Sequence, residues 1–283
     1  MADQDNSAQI EYWNDKAAVT WTAMQDRLDA MFAQLTALAI DAAAPAVDQR
    51  VVDVGCGCGA TVLELARRVG QGGQVLGVDV SAPMAERARQ RIAAAGFGNA
   101  QVLVSDASTH AFAAGQADLL FSRFGVMFFA DPAAAFTNLH RALRQGGRLL
   151  FATWRPMAEN QWFSVPVQAV APLLPPSPPM EPNAPGPFAF ADPDRVRHIL
   201  SSAGWTDVEF TRRDVPMRLA GPGQVAEAAE FATRVGTLAR ALADATPDLK
   251  AQVTAAVATA LAQYDGSEGI CLTGSIWLVS ARA

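Results

Sequence analysis

From residue 50 onward, short apolar runs alternate with stretches whose apolar residues recur every three or four positions. The runs are Val51-Val52, Val75 to Val80, Val102-Leu103-Val104, Leu119-Leu120-Phe121 and Leu149-Leu150-Phe151. Between them, Thr61 to Arg68, Pro83 to Ala95 and Pro132 to about Arg144 carry the helical period. Gly70, Gly96 and Gln145-Gly146-Gly147 close these stretches, and Asp131-Pro132 offers a capping carboxylate followed by proline at the first helical position. Strands alternating with helices predict βαβ units and a parallel sheet. The near-continuous apolar runs fit strands covered by helices on both faces. Residues 50–154 therefore predict an open α/β sheet of about five strands.

The flanks read differently. Residues 14–44 are helical, with Leu28, Met31, Phe32, Leu35 and Leu38 on one face until Pro45 stops the run. Beyond the sheet, eight of the 17 residues from 171 to 187 are proline, so this stretch predicts a loop or an extended crossing segment. Asp192-Pro193 opens a helix to about Ala203, and Val208 to Leu219 alternates as a strand. Residues 223–264 are alanine-rich and helical, broken at Ala245-Thr246-Pro247, and Ile270 to Arg282 closes the chain as a strand. The division expected is an N-terminal helical cap segment (1–45), a Rossmann-like core (46–155), and substrate-side insertions with strands completing the same sheet (156–283). No internal repeat is evident.

Composition narrows the function classes. The 283 residues carry 28 acidic and 22 basic side chains, a net charge of −6, which argues against a protein that grips nucleic acid. Hydrophobic residues at 51% against 18% charged favour a packed core over disorder. Three cysteines cannot make a disulfide framework, and the Cys56-x-Cys58 pair has no nearby cysteine or histidine to complete a metal site, so no metal is expected. The start MADQDNSAQI lacks the order of a signal peptide, and no stretch approaches the roughly 18 apolar residues of a membrane span. The expectation is a soluble, cytoplasmic protein that works on neither membrane nor nucleic acid.

The chemistry concentrates in VVDVGCGCGA, residues 51–60. A strand ends at Asp53 or Val54, the glycines Gly55, Gly57 and Gly59 let the backbone turn and approach a ligand, and the following helix aims its free N–H groups at that point. Gly55, Gly57 and Ala60 also satisfy the G-x-G-x-x-G/A pattern used for NAD. Three acids sharpen the reading. Asp53 can reach loop N–H groups or order water around a cationic ligand. Asp79, at the end of the second strand, can accept from two ribose hydroxyls, and Asp106, after the third, from an adenine amino group. Three acids at the carboxyl ends of three strands suit a phosphate-free nucleoside with a cationic arm, and suit a pyrophosphate poorly.

That set resembles the class I S-adenosylmethionine-dependent methyltransferases. VVDVGCGCG is similar to the family's first motif, VLGVDVS to its second, VSDA to its third, ADLLFSR to its fourth strand, and LHRALRQGGRLLFATW to the helix, turn and fifth strand that follow. The resemblance covers about 50–154 closely and the last two strands less so. It implies a doubly wound seven-stranded sheet of order 3-2-1-4-5-7-6, strand 7 antiparallel, with 220–265 a helical insertion on the active-site side. It also implies transfer of a methyl group from S-adenosylmethionine to a small molecule, leaving S-adenosylhomocysteine. Cofactor contacts fall to Asp53, Gly55, Cys56, Gly57, Gly59, Asp79, Val80, Met84, Asp106, Ala107, Ser122 and Arg123. Cys58 stands where the family often has threonine or serine.

Other candidates carry two readings each. His110 is a weak candidate for a general base, and His140 and His198 read as structural or solvent-facing. Trp13 and Trp21 either close over the cofactor or pack. Arg123 either faces the surface or binds the cofactor's carboxylate. Phe124, Met127, Phe128 and Trp154 are expected in the substrate pocket, with part of the Met127–Phe129 run in the core, and with Trp162 they suggest an apolar or aromatic acceptor. The rival functions are an NAD-dependent oxidoreductase and a non-catalytic nucleoside-binding module. Oligomeric state and acceptor atom are not legible.

Overall fold

The computed structural model describes residues 6–175 and 184–283. Part of the proline-rich stretch, 176–183, lies outside the described residues. The sheet is built from β1 (Arg50–Val54), β2 (Gln74–Asp79), β3 (Ala100–Val104), β4 (Ala117–Arg123), β5 (Leu143–Trp154), β6 (Thr206–Ala220), the two-residue β7 (Asp265–Gly266) and β8 (Gly269–Arg282). Its order is β3-β2-β1-β4-β5-β8-β6, with β7 paired only to β8. Strands β1 to β5 pair in parallel, and β8 runs antiparallel to both β5 and β6. Setting aside β7, this is the order expected from the sequence.

Three of the four parallel connections carry a helix, α4 (Ala60–Val69), α5 (Ala82–Ala95) and α6 (Pro132–Ala142), while β3 passes to β4 through a loop. Local chemistry sets their ends. The Ser81 hydroxyl accepts from Met84 N and the Asp131 carboxylate from Ala134 N, each with proline in the first turn. Val51, Val52 and Val54 are buried in β1, and Leu119, Leu120 and Phe121 in β4, as expected where helices cover both faces. On one face Phe136, Phe151, Phe190 and Trp205 form an aromatic layer. On the other, α3 (Gln25–Ala43) buries Leu28, Met31, Phe32 and Leu35, while Leu38 is only partly covered.

Three local expectations are corrected. Helix α6 ends at Ala142, not Arg144, because extended Leu143 pairs with Ala117; the Gly146-Gly147 turn then sits inside β5, where the register with β4 shifts. Residues 223–264 break at Val235-Gly236 as well as near Pro247, giving α9 (Val225–Arg234), α10 (Gly236–Ala241) and α11 (Pro247–Leu261). Strand β6 alternates in two phases rather than one, Val208 and Phe210 half-buried, then Val215, Met217 and Leu219 inward beyond an exposed stretch at 211–214. It is an edge strand, where Pro216 can be accommodated without losing a central ladder bond. The chain before α3 forms α1 (Ser7–Asn14) and α2 (Lys16–Ala23), and α7 (Gln161–Val170) and α8 (Pro193–Ser202) lie between β5 and β6. Among the described residues no helix is long and apolar enough to cross a membrane.

Candidate active site

The chain reverses its winding direction between β1 and β4, so a crevice opens beyond their carboxyl ends, where doubly wound sheets take ligands. The crevice holds a cavity of about 930 Å³. Its floor is the turn after β1. Gly55 N and Cys56 N donate to Val78 O at 2.8 and 3.3 Å, which ties the turn to β2. Gly55 has φ +70°, and a side chain there would meet Gly125 Cα at 2.5 Å. Reciprocally, a Cβ on Gly125 would lie 2.5 Å from Val54 O and 2.7 Å from Gly55 Cα. The two loops thus cross backbone against backbone. Beside Gly125, Phe124 holds φ +69°, a region costly for a bulky side chain.

Two carboxylates face this turn in different ways. Asp79 accepts from Gly57 N at 2.7 Å and from Ser81 N at 2.8 Å, one donor per oxygen. A carboxylate has about four lone-pair sites, so each oxygen keeps capacity for a ligand hydroxyl. Burial raises its pKa, opposed by the Ser81 and Gly57 N–H bonds. Asp53 does not reach the loop N–H groups expected of it. It is fully buried, accepts from the Thr61 hydroxyl through Oδ2, and leaves Oδ1 without a partner among the described residues. Burial lifts its pKa to about 7, against the Thr61 bond and the charge of Arg123. Asp106 accepts from Ser108 N at 2.8 Å through one oxygen.

The N-terminal helices form one wall. Asn14 donates to Val80 O at 2.9 Å and accepts from Ala82 N at 2.9 Å, pinning the end of α1 to the loop after Asp79. Trp13 packs edge-on against Trp21 at 5.5 Å and Phe128 at 5.2 Å. On α3, Asp29 accepts from Gln25 Nε2 at 2.7 Å and pairs with Arg91 at 2.6 Å, and Arg91 also donates to Cys58 O at 2.6 Å. Arg123 donates to the Thr36 hydroxyl at 2.6 Å and lies 5.1 Å over Phe32. It is half-buried rather than surface-facing, and burial lowers its pKa against the charges of Asp29 and Asp53.

The opposite end is aromatic. Phe124 and Trp154 stack at 4.1 Å and 11°, Phe32 lies 5.7 Å from Phe124, and Trp162 and Phe163 sit 5.4 Å from Trp154. Phe188 continues the wall from Phe163 at 4.9 Å, and α10 closes it with Leu238 and Arg240.

Of the residues expected from sequence, the structure brings Trp21, Gly55, Cys56, Gly57, Asp79, Val80, Met84, Asp106, Ala107, Arg123, Phe124, Met127, Phe128 and Trp154 to the cavity. Asp53, Gly59 and Ser122 stand behind its surface. Gly59 caps α4 against Ala88, and the Ser122 hydroxyl donates to Val54 O at 2.7 Å and accepts from Gly125 N at 3.1 Å. Phe129 packs edge-on against Phe136 in the core and also reaches the cavity wall. His110 is not on the cavity wall; it faces Ser105 Oγ at 3.2 Å and Phe112. His140 packs on Trp205, and His198 is exposed. Burial pushes the Cys58 thiol up to about 11 and that of Cys56 well up, so neither offers a thiolate near neutrality. Among the described residues no cluster could hold a metal ion. Sequence reasoning missed Asp29, Phe32, Gly125 and Arg240. Phe32 was legible only as part of an apolar helix face.

This is a nucleoside-binding α/β architecture, and comparison with known proteins defines it further. Residues 51–147 match the model of a methyltransferase domain family. The aklanonic acid methyltransferase of Streptomyces sp. (strain C5) is 31% identical over 176 residues, covering 62% of this chain and 77% of that protein. The nocamycin O-methyltransferase of Saccharothrix syringae is 32% identical over 182 residues, 62% of this chain and 64% of that protein. Among solved structures, phosphoethanolamine N-methyltransferase 2 of Haemonchus contortus in complex with S-adenosyl-L-methionine shares the fold. Its TM-score is 0.59 at 18% identity, over 95% of this chain and 59% of that one. The chain belongs to the class I S-adenosylmethionine-dependent methyltransferase family. It is an enzyme of small-molecule methyl transfer with S-adenosylmethionine as cofactor, and the dinucleotide and non-catalytic readings are not favoured.

Proposed function

We propose that the acceptor is a small molecule whose apolar or aromatic part binds against Phe124, Met127, Phe128 and Trp154. One observation carries this reading: a single cavity joins the glycine turn and its carboxylates to a wall of stacked aromatic rings. Pockets for one drug-sized ligand span about 300–1,000 Å³. At about 930 Å³ this cavity lies at the upper end of that range and runs from the glycine turn to the aromatic wall. The two relatives above are named for aklanonic acid and for nocamycin, which supports a small-molecule acceptor.

The residues present fit the cofactor. Asp79 keeps acceptor capacity for ribose hydroxyls, with Val80 and Met84 beside it, and Asp106 and Ala107 stand where adenine would be read. Gly55, Cys56 and Gly57 allow close backbone approach. Arg123 would hold the cofactor's carboxylate and Trp21 would contact the cofactor, while Asp53, Gly59 and Ser122 hold the turn from behind. When bound, the cofactor supplies a methyl group already activated on a sulfonium sulfur. The protein's work is then placement and exclusion of water. Orientation of this kind contributes about 7–11 kcal/mol in well-aligned systems. The rigid crossing of Gly55 and Gly125 fixes the cofactor side against the aromatic side.

The test is calorimetric titration with S-adenosylhomocysteine, followed by methyl transfer to a panel of planar phenols and aromatic acids beside small aliphatic amines. Transfer to the aromatic members supports the reading. Transfer confined to the aliphatic amines would refute it.

A further inference from the structure

Apart from Asp29, the charged residues of the cavity are sorted by sign. Asp79 and Asp106 stand at the ends of β2 and β3, and Asp29 is tied to the same side through Arg91 of α5. Asp79 and Asp106 lie over the β3-β2-β1 half of the sheet, while Asp29, on α3, is close enough for its charge to act on Arg123. The cations lie on the other half. Arg123 closes β4, and Arg240 is on α10, which packs on α7 behind Trp162 and Phe163. Neither arginine has a carboxylate partner among the described residues. Arg123 holds the Thr36 hydroxyl and the Phe32 face, and Arg240 sits 4.5 Å over the ring of Tyr12, also on the cavity wall.

The acids complement a cationic cofactor with hydroxyls. With Arg123 assigned to the cofactor's carboxylate, one cation on the aromatic side remains unused. We propose that Arg240 recognises an anionic group on the acceptor, which makes the substrate class an aromatic acid. Its rings lie along the Phe124–Trp154 wall and its anion faces the exposed mouth at Arg240. The guanidinium fork suits a carboxylate, and the face of Tyr12 holds it in place without neutralising it. The mouth position also steers anions inward before docking. This inference rests on the reading of the aromatic side as the acceptor's place.

The experiment uses the full chain saturated with S-adenosylhomocysteine and titrated with 2-naphthoate and, separately, 2-naphthamide. Quenching of tryptophan fluorescence reports binding, since Trp154 and Trp162 line the cavity. The acid binds about fivefold more tightly than the amide, the scale of a partly solvated ion pair, and the preference shrinks as salt is raised. Arg240→Gln removes the preference by weakening the acid alone, and Arg240→Glu reverses it. Arg240 is exposed, so both variants keep the fold and the wild-type affinity for S-adenosylhomocysteine.

Equal binding of acid and amide to the wild-type complex overturns the inference. So does a preference that survives Arg240→Gln and vanishes in Arg123→Gln, which would seat the anion at Arg123. If neither naphthalene compound binds while S-adenosylhomocysteine does, the aromatic subsite falls and this inference with it. Failure of S-adenosylhomocysteine itself to bind would instead strike the cofactor assignment.

Discussion

Gly125→Ala tests the loop crossing that joins the two halves of the site. Gly125 has an ordinary negative φ of −75°, so alanine meets no conformational penalty there and the effect is purely steric. The added Cβ would sit 2.5 Å from Val54 O, 2.7 Å from Gly55 Cα and 3.1 Å from Gly55 N. All three are backbone atoms of β1 and its turn, which are pinned to β2 and cannot swing aside as a side-chain tip would. An ordinary carbon contact needs about 3.5 Å, so the loops must part by close to 1 Å. Overpacking of this kind costs about 1–3 kcal/mol, which in a chain of this size lowers the melting temperature by roughly 2–10 °C. The displaced loop carries Arg123 and Phe124, so misplacing them by about 1 kcal/mol or more of lost contact weakens S-adenosylhomocysteine binding about fivefold or more. Thermal unfolding and calorimetry on wild type and variant measure both. A variant within 1 °C and twofold of wild type would refute the claim that this close approach positions the site.

Other consequences follow from the carboxylates. Asp79→Ala removes an acceptor for ribose and for two loop N–H groups. Hydrogen bonds to charged groups contribute about 1.5–3 kcal/mol, so S-adenosylhomocysteine binds roughly ten- to a hundredfold more weakly; unchanged affinity would sink the ribose assignment. Asp53, raised to about 7 by burial, holds its proton more tightly folded than unfolded. Its stabilising contribution is complete below about pH 4, the unfolded value, and is lost as pH rises through about 7. The melting temperature of the ligand-free wild type should therefore fall relative to Asp53→Asn between pH 5 and 8; a gap independent of pH would contradict the buried, neutral carboxyl. A cationic cofactor nearby favours the ionised form, so binding near pH 7 should release protons, read as a dependence of calorimetric enthalpy on the buffer's ionisation enthalpy.

Much of the architecture was legible in the chain because its causes are local. Apolar runs long enough for strands, helical periods between them and glycine or proline punctuation fix element type within a few residues. The motif acids Asp79 and Asp106 could be placed because they end such runs, and strand ends define the ligand side of a doubly wound sheet. The end of α6 was missed because a register requirement, Leu143 against Ala117, overrode helix propensity. For Asp53 the sequence leaves loop N–H groups or ordered water as partners, yet it is the Thr61 side chain that it meets, a contact set by how α4 leaves the turn.

What only the tertiary structure decided is which distant segments share the cavity. Phe32 and Asp29 of α3, Tyr12 of α1 and Arg240 of α10 are far from the motifs in sequence, and nothing in their spacing relates them to Trp154 or Gly57. Their meeting depends on helix packing, where side chains tens or hundreds of residues apart choose partners by shape and burial. The crossing of Gly55 and Gly125 is of the same kind: either glycine alone reads as a turn, and only the fold shows that each needs the other to lack a side chain. Local sequence thus determined the sheet and the cofactor motif, while the acceptor side was decided by long-range packing, which no local period encodes.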